Sequence, residues 1–164
     1  MRRIYWSQYV LITKTPLRIS LFGGGTDFSD YYSFHGGAFF SFAIQKHIYI
    51  SGHSPWESQG IFLKYSQIER VNLPDEIQHP IFRTLLSKYN FSQGDFAVSS
   101  DVSASTGLGS SSSFTVGLLN LIHAMKGETL GAESLAREAC EIEIKELNEP
   151  IGIQDQFAAA FGGV

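Results

Sequence analysis

The first hundred residues carry the short, partly alternating apolar stretches that are typical of β-strands. We predict strands in four segments: 9–23, a pair within 38–52, a pair within 61–73, and 96–100. Pro16 interrupts the first segment. Because proline donates no hydrogen bond to a sheet, this segment should be an edge strand or two short strands.

The second half of the chain has apolar residues at helical spacing instead. The residues that share one face of a predicted helix over 110–125 are Phe114, Leu118, Leu121, Ile122 and Met125. Such a stripe is typical of a helix packed on a core. Further helices are predicted over 132–147, 153–161 and 79–89. Since the strands come mainly first and the helices afterwards, the pattern favours an α+β fold.

A short aromatic helix is predicted after the turn Gly23-Gly24-Gly25. Asp27 or Ser29 would cap its N-terminus, because short polar side chains accept hydrogen bonds from the first turn. The helix should continue to Phe34 and end at Gly36-Gly37, where glycine allows the backbone to turn away.

Composition limits the class of protein. The chain has 164 residues, with 43% hydrophobic and 17% charged, which is ordinary for one globular domain. A net charge of -4 argues against non-specific nucleic-acid binding, which needs clustered cations. The single cysteine excludes an internal disulfide, and no run approaches the ~20 apolar residues of a membrane span. The N-terminus lacks a recognisable signal peptide, so we expect a cytoplasmic protein.

A loop rich in glycine and serine directly precedes the 110–125 helix. It reads Thr106-Gly107-Leu108-Gly109, followed by Ser110-Ser111-Ser112-Ser113. A helix N-terminus presents unpaired amides and a positive dipole end, glycines let the backbone approach an anion, and hydroxyls add donors. The loop therefore predicts a phosphate site, and the alternative is an ordinary serine-rich turn. It is not a Walker A loop, because no lysine follows the glycines.

Three charged residues stand out from their surroundings. Arg18 lies in a strand of Leu and Ile, where a charge is costly unless paired; it could pair with Asp155, contact a transferred phosphate, or face solvent at an edge. Glu143 falls in the apolar arc of the 132–147 helix, which predicts either a Mg²⁺ ligand or a buried salt bridge. Asp155 opens a helix, where an acid is favourable, and its carboxylate could also accept a hydroxyl proton.

Three segments together resemble the GHMP kinases, a family that includes galactokinase and mevalonate kinase. Pro16–Asp27 resembles the first motif of the family, Gly107–Ser113 its second, and Gly152–Gln156 the segment with the catalytic aspartate. The resemblance implies an α+β fold similar to ribosomal protein S5 domain 2, with a mixed sheet covered by helices. It also implies that residues 1–164 are the N-terminal, ATP-binding domain, a fragment whose missing C-terminal domain would complete the cleft.

The resemblance implies a role for each candidate residue. Asp155 would be the catalytic base with Arg18 beside it, and Ser111 and Glu143 would hold Mg²⁺, with Glu146 as the alternative to Glu143. The nucleotide ATP would bind Gly107, Leu108, Gly109, Ser110, Ser111, Ser112 and Ser113. The substrate would bind Gly24, Gly25, Thr26 and Asp27. For Asp27, the role of helix cap stays open beside that of substrate ligand.

The motif variants are most similar to the branch of the family that phosphorylates D-glycero-D-manno-heptose 7-phosphate. This similarity implies phosphorylation at the anomeric hydroxyl. The alternatives are another GHMP small-molecule kinase, acting on fucose, another sugar or mevalonate, and a non-catalytic homologue that binds a sugar or nucleotide. We expect little activity from the 164-residue chain alone, and the final residues 161–164 predict a turn into a further strand.

Overall fold

The structure is a computed structural model that describes residues 9–54, 59–103 and 106–163. The strands are β1 (Leu11–Phe22), β2 (Phe40–His53), β3 (Gly60–Lys64), β4 (Ile68–Val71) and β5 (Gln93–Ser100). The helices are α1 (Ser29–His35), α2 (Pro80–Lys88), α3 (Ser110–Met125), α4 (Ala132–Cys140) and α5 (Gln154–Phe161). The prediction of an α+β fold is confirmed. The signal-peptide prediction concerns residues 1–14, of which 1–8 lie outside the described ranges, as does Val164.

The strands form a five-stranded mixed sheet in the order β1-β2-β5-β3-β4. Neighbours are antiparallel except β3 and β5, which run parallel. The predicted edge strand is confirmed, because β1 lies at the sheet edge and continues through Pro16 as one strand with a register shift. The strand pair predicted within 38–52 is wrong. The polar residues Gln45 and Lys46 are the extra residues of a bulge opposite Pro16 and Leu17, and β2 runs on past them.

Helices α3 and α5 pack against β1 and β2, and the core lies between the helices and the sheet. Fully buried residues of the sheet side include Leu17, Ile50, Leu63 and Phe96. They meet Leu118, Leu119 and Leu121 of α3 and Phe82 and Leu85 of α2 in one cluster. A Cβ atom at Gly117 would lie 2.6 Å from the Thr15 hydroxyl, so α3 packs closely on β1. This close approach holds the middle of α3 against β1.

Two predicted helices form but differ in detail, one in helix type and the other in its N-cap. The 132–147 helix is α-helical to Cys140 and continues as a π-helical turn over Glu141–Glu146. Helix α1 has Phe28 at its N-cap with no capping side chain, so the prediction of Asp27 or Ser29 as its cap is wrong. It ends at Gly36, as predicted, with φ of 70°. In the described ranges, no helix combines the length and apolar character needed to cross a membrane.

Candidate active site

The glycine-serine loop turns directly into α3. Gly107 and Gly109 both have left-handed backbone conformations, with φ of 73° and 75°. Gly109 is the N-cap residue of α3 and has no side chain to cap the first turn. A Cβ atom at Gly109 would lie 3.4 Å from the side chain of Arg18, so the loop folds tightly over that residue. The sequence thus places the positive end of α3 beside the strand that carries Arg18.

Arg18 and Asp155 form a bidentate ion pair across the site. The Nε atom of Arg18 donates to Asp155 Oδ1 at 2.8 Å, and Nη2 donates to Oδ2 at 2.6 Å. The third guanidinium nitrogen, Nη1, donates to the Gly107 carbonyl at 2.7 Å. The Arg18 side chain is only 12% exposed, so the predicted pair is confirmed and a solvent-facing edge charge is excluded. Arg18 therefore holds the loop and the start of α5 in one geometry.

A cleft of about 290 Å³ lies between the loop and α5, and we call it the glycine-loop cleft. Its lining is Arg18, Gly107, Gly109, Ser110, Ser111, Ser112, Glu149, Ile151 and Asp155. Two residues predicted to bind the nucleotide do not bring their side chains to it. The Ser113 hydroxyl donates to the Pro16 carbonyl at 2.8 Å, and Leu108 packs against the core.

Glu143 carries a buried carboxylate, 1% exposed, that accepts four hydrogen bonds. Its Oε1 atom accepts from Ser111 at 3.3 Å and from Thr115 at 2.8 Å. Its Oε2 atom accepts from Ser112 at 2.8 Å and from Gln156 at 2.5 Å. Burial raises the pKa of Glu143, and the hydrogen bonds from Ser112, Gln156, Thr115 and Ser111 oppose that increase.

The oxygen donors around Glu143 fit a hard divalent cation. Magnesium prefers carboxylate and hydroxyl oxygens and is usually held by one or two carboxylates together with substrate phosphates. Within 9–54, 59–103 and 106–163, no cluster of three or more His, Cys, Asp or Glu residues could hold a metal by itself. Ser111 and Glu143 therefore suit a cation that arrives with a phosphate ligand. The alternative, Glu146, pairs with Lys88 at 2.6 Å.

A larger cavity of about 500 Å³ adjoins the glycine-loop cleft, and we call it the apolar cavity. Ser110, Ser111 and Glu149 line both spaces. Its walls are largely apolar and aromatic, with Ile48, Tyr65, His79, Ile81, Val98 and Phe114 among them. The centroids of the His79 and Phe114 rings lie 5.0 Å apart. Burial lowers the pKa of His79. No sequence motif marks this cavity, because its residues come from elements that are far apart in the chain.

Asp27 supports the start of α5 instead of capping α1. Its Oδ1 atom accepts from the Gly25 amide at 2.9 Å, and Oδ2 accepts from the Gln154 amide at 3.1 Å. The Asp27 carbonyl also accepts from the Ile153 amide at 3.2 Å. This carboxylate thus fixes the backbone one residue before Asp155. Asp27 does not line the glycine-loop cleft, and its role as a substrate ligand stays a prediction.

The other residues predicted to bind substrate form a tight turn. Gly24 and Gly25 have open space where a Cβ atom would be. The Thr26 hydroxyl lies 2.8 Å from the Gly23 carbonyl and 2.9 Å from the Ala38 carbonyl. The hydroxyl therefore joins this turn to the backbone that leads into β2, and substrate binding by these residues stays a prediction.

Comparison with known proteins agrees with the motifs and the geometry. The family model described as GHMP kinases N terminal domain matches residues 77–163, and a kinase of Campylobacter jejuni is 31% identical over 92% of the chain. The chain belongs to the GHMP kinase family. That relative is named D-glycero-alpha-D-manno-heptose 7-phosphate kinase, and the chain covers 48% of it. A galactokinase of Thermotoga maritima is 28% identical over 91% of the chain and 43% of its own length.

Solved structures of the GHMP kinases share the fold. A D-glycero-D-manno-heptose 1-phosphate kinase from Bacteroides thetaiotaomicron has a TM-score of 0.83 and 27% identity, covering 94% of this chain and 54% of that one. The mevalonate kinase of Methanococcus jannaschii has a TM-score of 0.70 at 20% identity, over 94% and 52% of the two chains, which shows the fold alone. The chain spans about half the length of the curated relatives it matches.

Proposed function

We propose that this chain is the nucleotide-binding half of a GHMP kinase that transfers phosphate from ATP to a sugar-phosphate hydroxyl. The carrying observation is that the glycine-serine loop, at the positive end of α3, faces the Arg18–Asp155 pair across one cleft. Phosphoryl transfer depends mainly on positioning and on stabilising charge, and this cleft combines both. Residues 1–164 would form the N-terminal domain, and a C-terminal domain would complete the cleft.

In the proposed reaction, the phosphates of ATP lie on the backbone of the glycine-serine loop. Asp155 orients the attacking hydroxyl and accepts its proton, while Arg18 fixes the carboxylate through two charge-assisted hydrogen bonds. The guanidinium also places positive charge next to the transferred group. Ser111 and Glu143 would hold Mg²⁺, which neutralises phosphate charge when it is bound.

The apolar cavity is the proposed site of the adenine ring. It adjoins the glycine-loop cleft through Ser110 and Ser111, so a nucleotide could lie across both spaces. Aromatic and aliphatic walls favour a flat apolar ring, with few polar groups to fix its orientation. The phosphates would then follow the start of α3 towards Asp155.

The proposed acceptor is D-glycero-D-manno-heptose 7-phosphate, phosphorylated at its anomeric hydroxyl. Supporting this, the Campylobacter jejuni relative at 31% identity is named for that substrate. Gly24 and Gly25 add no side chains to the first-motif turn, which leaves room for a large acceptor. The second candidate is a galactose-type sugar, because the Thermotoga maritima galactokinase is 28% identical over nearly the same region.

Two measurements test the proposed function. Isothermal titration calorimetry of the chain with Mg²⁺ and AMP-PNP, a non-hydrolysable ATP analogue, should detect nucleotide binding. ADP release is then measured in a longer protein that includes the proposed C-terminal domain, because little turnover is expected from the 164-residue chain alone. In that protein, heptose 7-phosphate, galactose, fucose and mevalonate are compared to identify the acceptor. Asp155→Asn should lower turnover about 100-fold or more and leave AMP-PNP affinity nearly unchanged. Wild-type turnover retained in Asp155→Asn, or a chain that binds no nucleotide, would contradict the proposal.

A further inference from the structure

The buried carboxylate of Glu143 accepts hydrogen bonds from more residues than the loop serines alone. A carboxylate offers about four lone-pair positions, and the structure places two donors on each oxygen. A cation bound to Glu143 would therefore take the position of one donor, and the Ser111 hydroxyl, at 3.3 Å, is the most distant of the four. Two donors, Ser111 and Ser112, belong to the glycine-serine loop. The other two come from Thr115, one turn further along α3, and from Gln156 on α5. Neither Thr115 nor Gln156 has a place in the function proposed so far.

The side-chain amide of Gln156 is oriented towards Glu143, and this orientation leaves its oxygen without a hydrogen bond among the described residues. Its side chain is fully buried, and Nε2 donates to Glu143 Oε2 at 2.5 Å. Among the described residues, its Oε1 atom has no hydrogen-bond partner. An unsatisfied buried acceptor costs about 1–3 kcal/mol, so this amide is not placed for stability alone. The opposite amide orientation would put Oε1 against the carboxylate, and the observed one is therefore set by Glu143.

Thr115 has two acceptors within reach of one hydroxyl hydrogen. Glu143 Oε1 lies at 2.8 Å, and the Ser111 carbonyl, one helical turn back, lies at 3.2 Å. Hydrogen bonds to a charged acceptor are shorter and stronger than those to a neutral carbonyl. The Thr115 hydroxyl therefore donates its hydrogen bond to the Glu143 carboxylate.

We propose that Thr115 and Gln156 are positioning residues that orient the Glu143 carboxylate for a magnesium-bound nucleotide. The proposal rests on the proposed function. Gln156 follows Asp155 on α5, so its hydrogen bond also fixes the metal-binding carboxylate relative to the catalytic one. Thr115 fixes the same carboxylate relative to Ser111. Outer partners of this kind hold metal ligands in place, and their loss typically weakens metal affinity 10–100-fold.

Isosteric variants separate positioning from packing. Thr115→Val replaces the hydroxyl by a methyl group of similar size, and Thr115→Ser keeps the hydroxyl and loses the methyl group. Thr13→Val is the matched control, because Thr13 is also buried and donates to the Gly117 carbonyl of α3 at 3.0 Å, without contact to Glu143. Gln156→Leu removes the second donor. Calorimetry measures the Kd of AMP-PNP with and without Mg²⁺ for each chain, and thermal unfolding measures Tm.

We expect Thr115→Val and Gln156→Leu to weaken the Mg²⁺-dependent affinity about 10-fold, with little change in metal-free binding. Thr115→Ser should restore it, and Thr13→Val should lower Tm without altering the Mg²⁺ dependence. If Thr115→Val keeps the wild-type Mg²⁺ dependence, or if Thr13→Val loses it equally, the positioning role is wrong and the proposed function stands. A wild-type chain that binds no nucleotide under either condition contradicts the proposed function and this proposal together.

Discussion

Replacing Arg18 by Met tests how strongly one ion pair holds the three motifs together. The substitution keeps an unbranched side chain and removes three hydrogen bonds: two to Asp155, at 2.8 and 2.6 Å, and one to the Gly107 carbonyl at 2.7 Å. It also leaves the Asp155 carboxylate without its cation in a partly enclosed cleft. Arg18→Met should therefore destabilise the fold as well as the site.

The size of the loss follows from the exposure of the two side chains. Removing one partner of a buried ion pair costs about 3–5 kcal/mol, whereas exposed pairs contribute about 0–1 kcal/mol. With side chains 12% and 29% exposed, this pair lies between the two cases. We expect Arg18→Met to lower the free energy of unfolding by about 2–3 kcal/mol. For a chain of this length, that corresponds to a decrease in Tm of about 5–10 °C.

Urea denaturation of the wild type, Arg18→Met, Asp155→Asn and the double variant measures the effect as a double-mutant cycle. The coupling energy between the two residues should be about 1–2 kcal/mol. Arg137→Met is the matched control, because Arg137 pairs with Glu133 at 2.8 Å with both side chains more than half exposed. Its cost should stay below about 1 kcal/mol. Equal costs for the two arginine substitutions, or zero coupling to Asp155, would refute the reasoning.

Two further predictions concern the carboxylates beside α5. In Gly152→Ala, the new Cβ atom would lie 2.0 Å from Asp27 Oδ2, so we expect a loss of at least about 2 kcal/mol in urea denaturation; an unchanged midpoint would contradict that contact. Burial raises the pKa of Glu143 above its ordinary 4.5, so its contribution to stability is complete below that value and declines as the pH rises through the folded-state pKa. The unfolding free energy of the wild type should therefore decrease relative to Glu143→Gln as the pH rises above 4.5, and a constant difference would contradict the raised pKa.

The sequence by itself determined the features that depend on local chemistry. The apolar stripe and the preceding glycines gave helix α3 its bounds of Ser110–Met125, and Pro16 marked β1 as an edge strand. The cost of an unpaired charge among apolar residues predicted that Arg18 has a partner and that Glu143 needs one. These inferences succeed because helix periodicity, proline geometry and desolvation act on a residue whatever the rest of the fold does.

Only the tertiary structure decided which groups meet. A polar pair inside β2 marks a bulge and not a turn, because the register with β1 absorbs two extra residues there. Asp27 is a plausible cap for the helix that follows it, yet it supports α5, which is 127 residues away in sequence. The apolar cavity and the donors Thr115 and Gln156 depend likewise on elements that are far apart in the chain and pack together in the fold. Sequence patterns determine which secondary structure each segment prefers. Contacts between residues far apart in the chain depend instead on how the segments pack into one core.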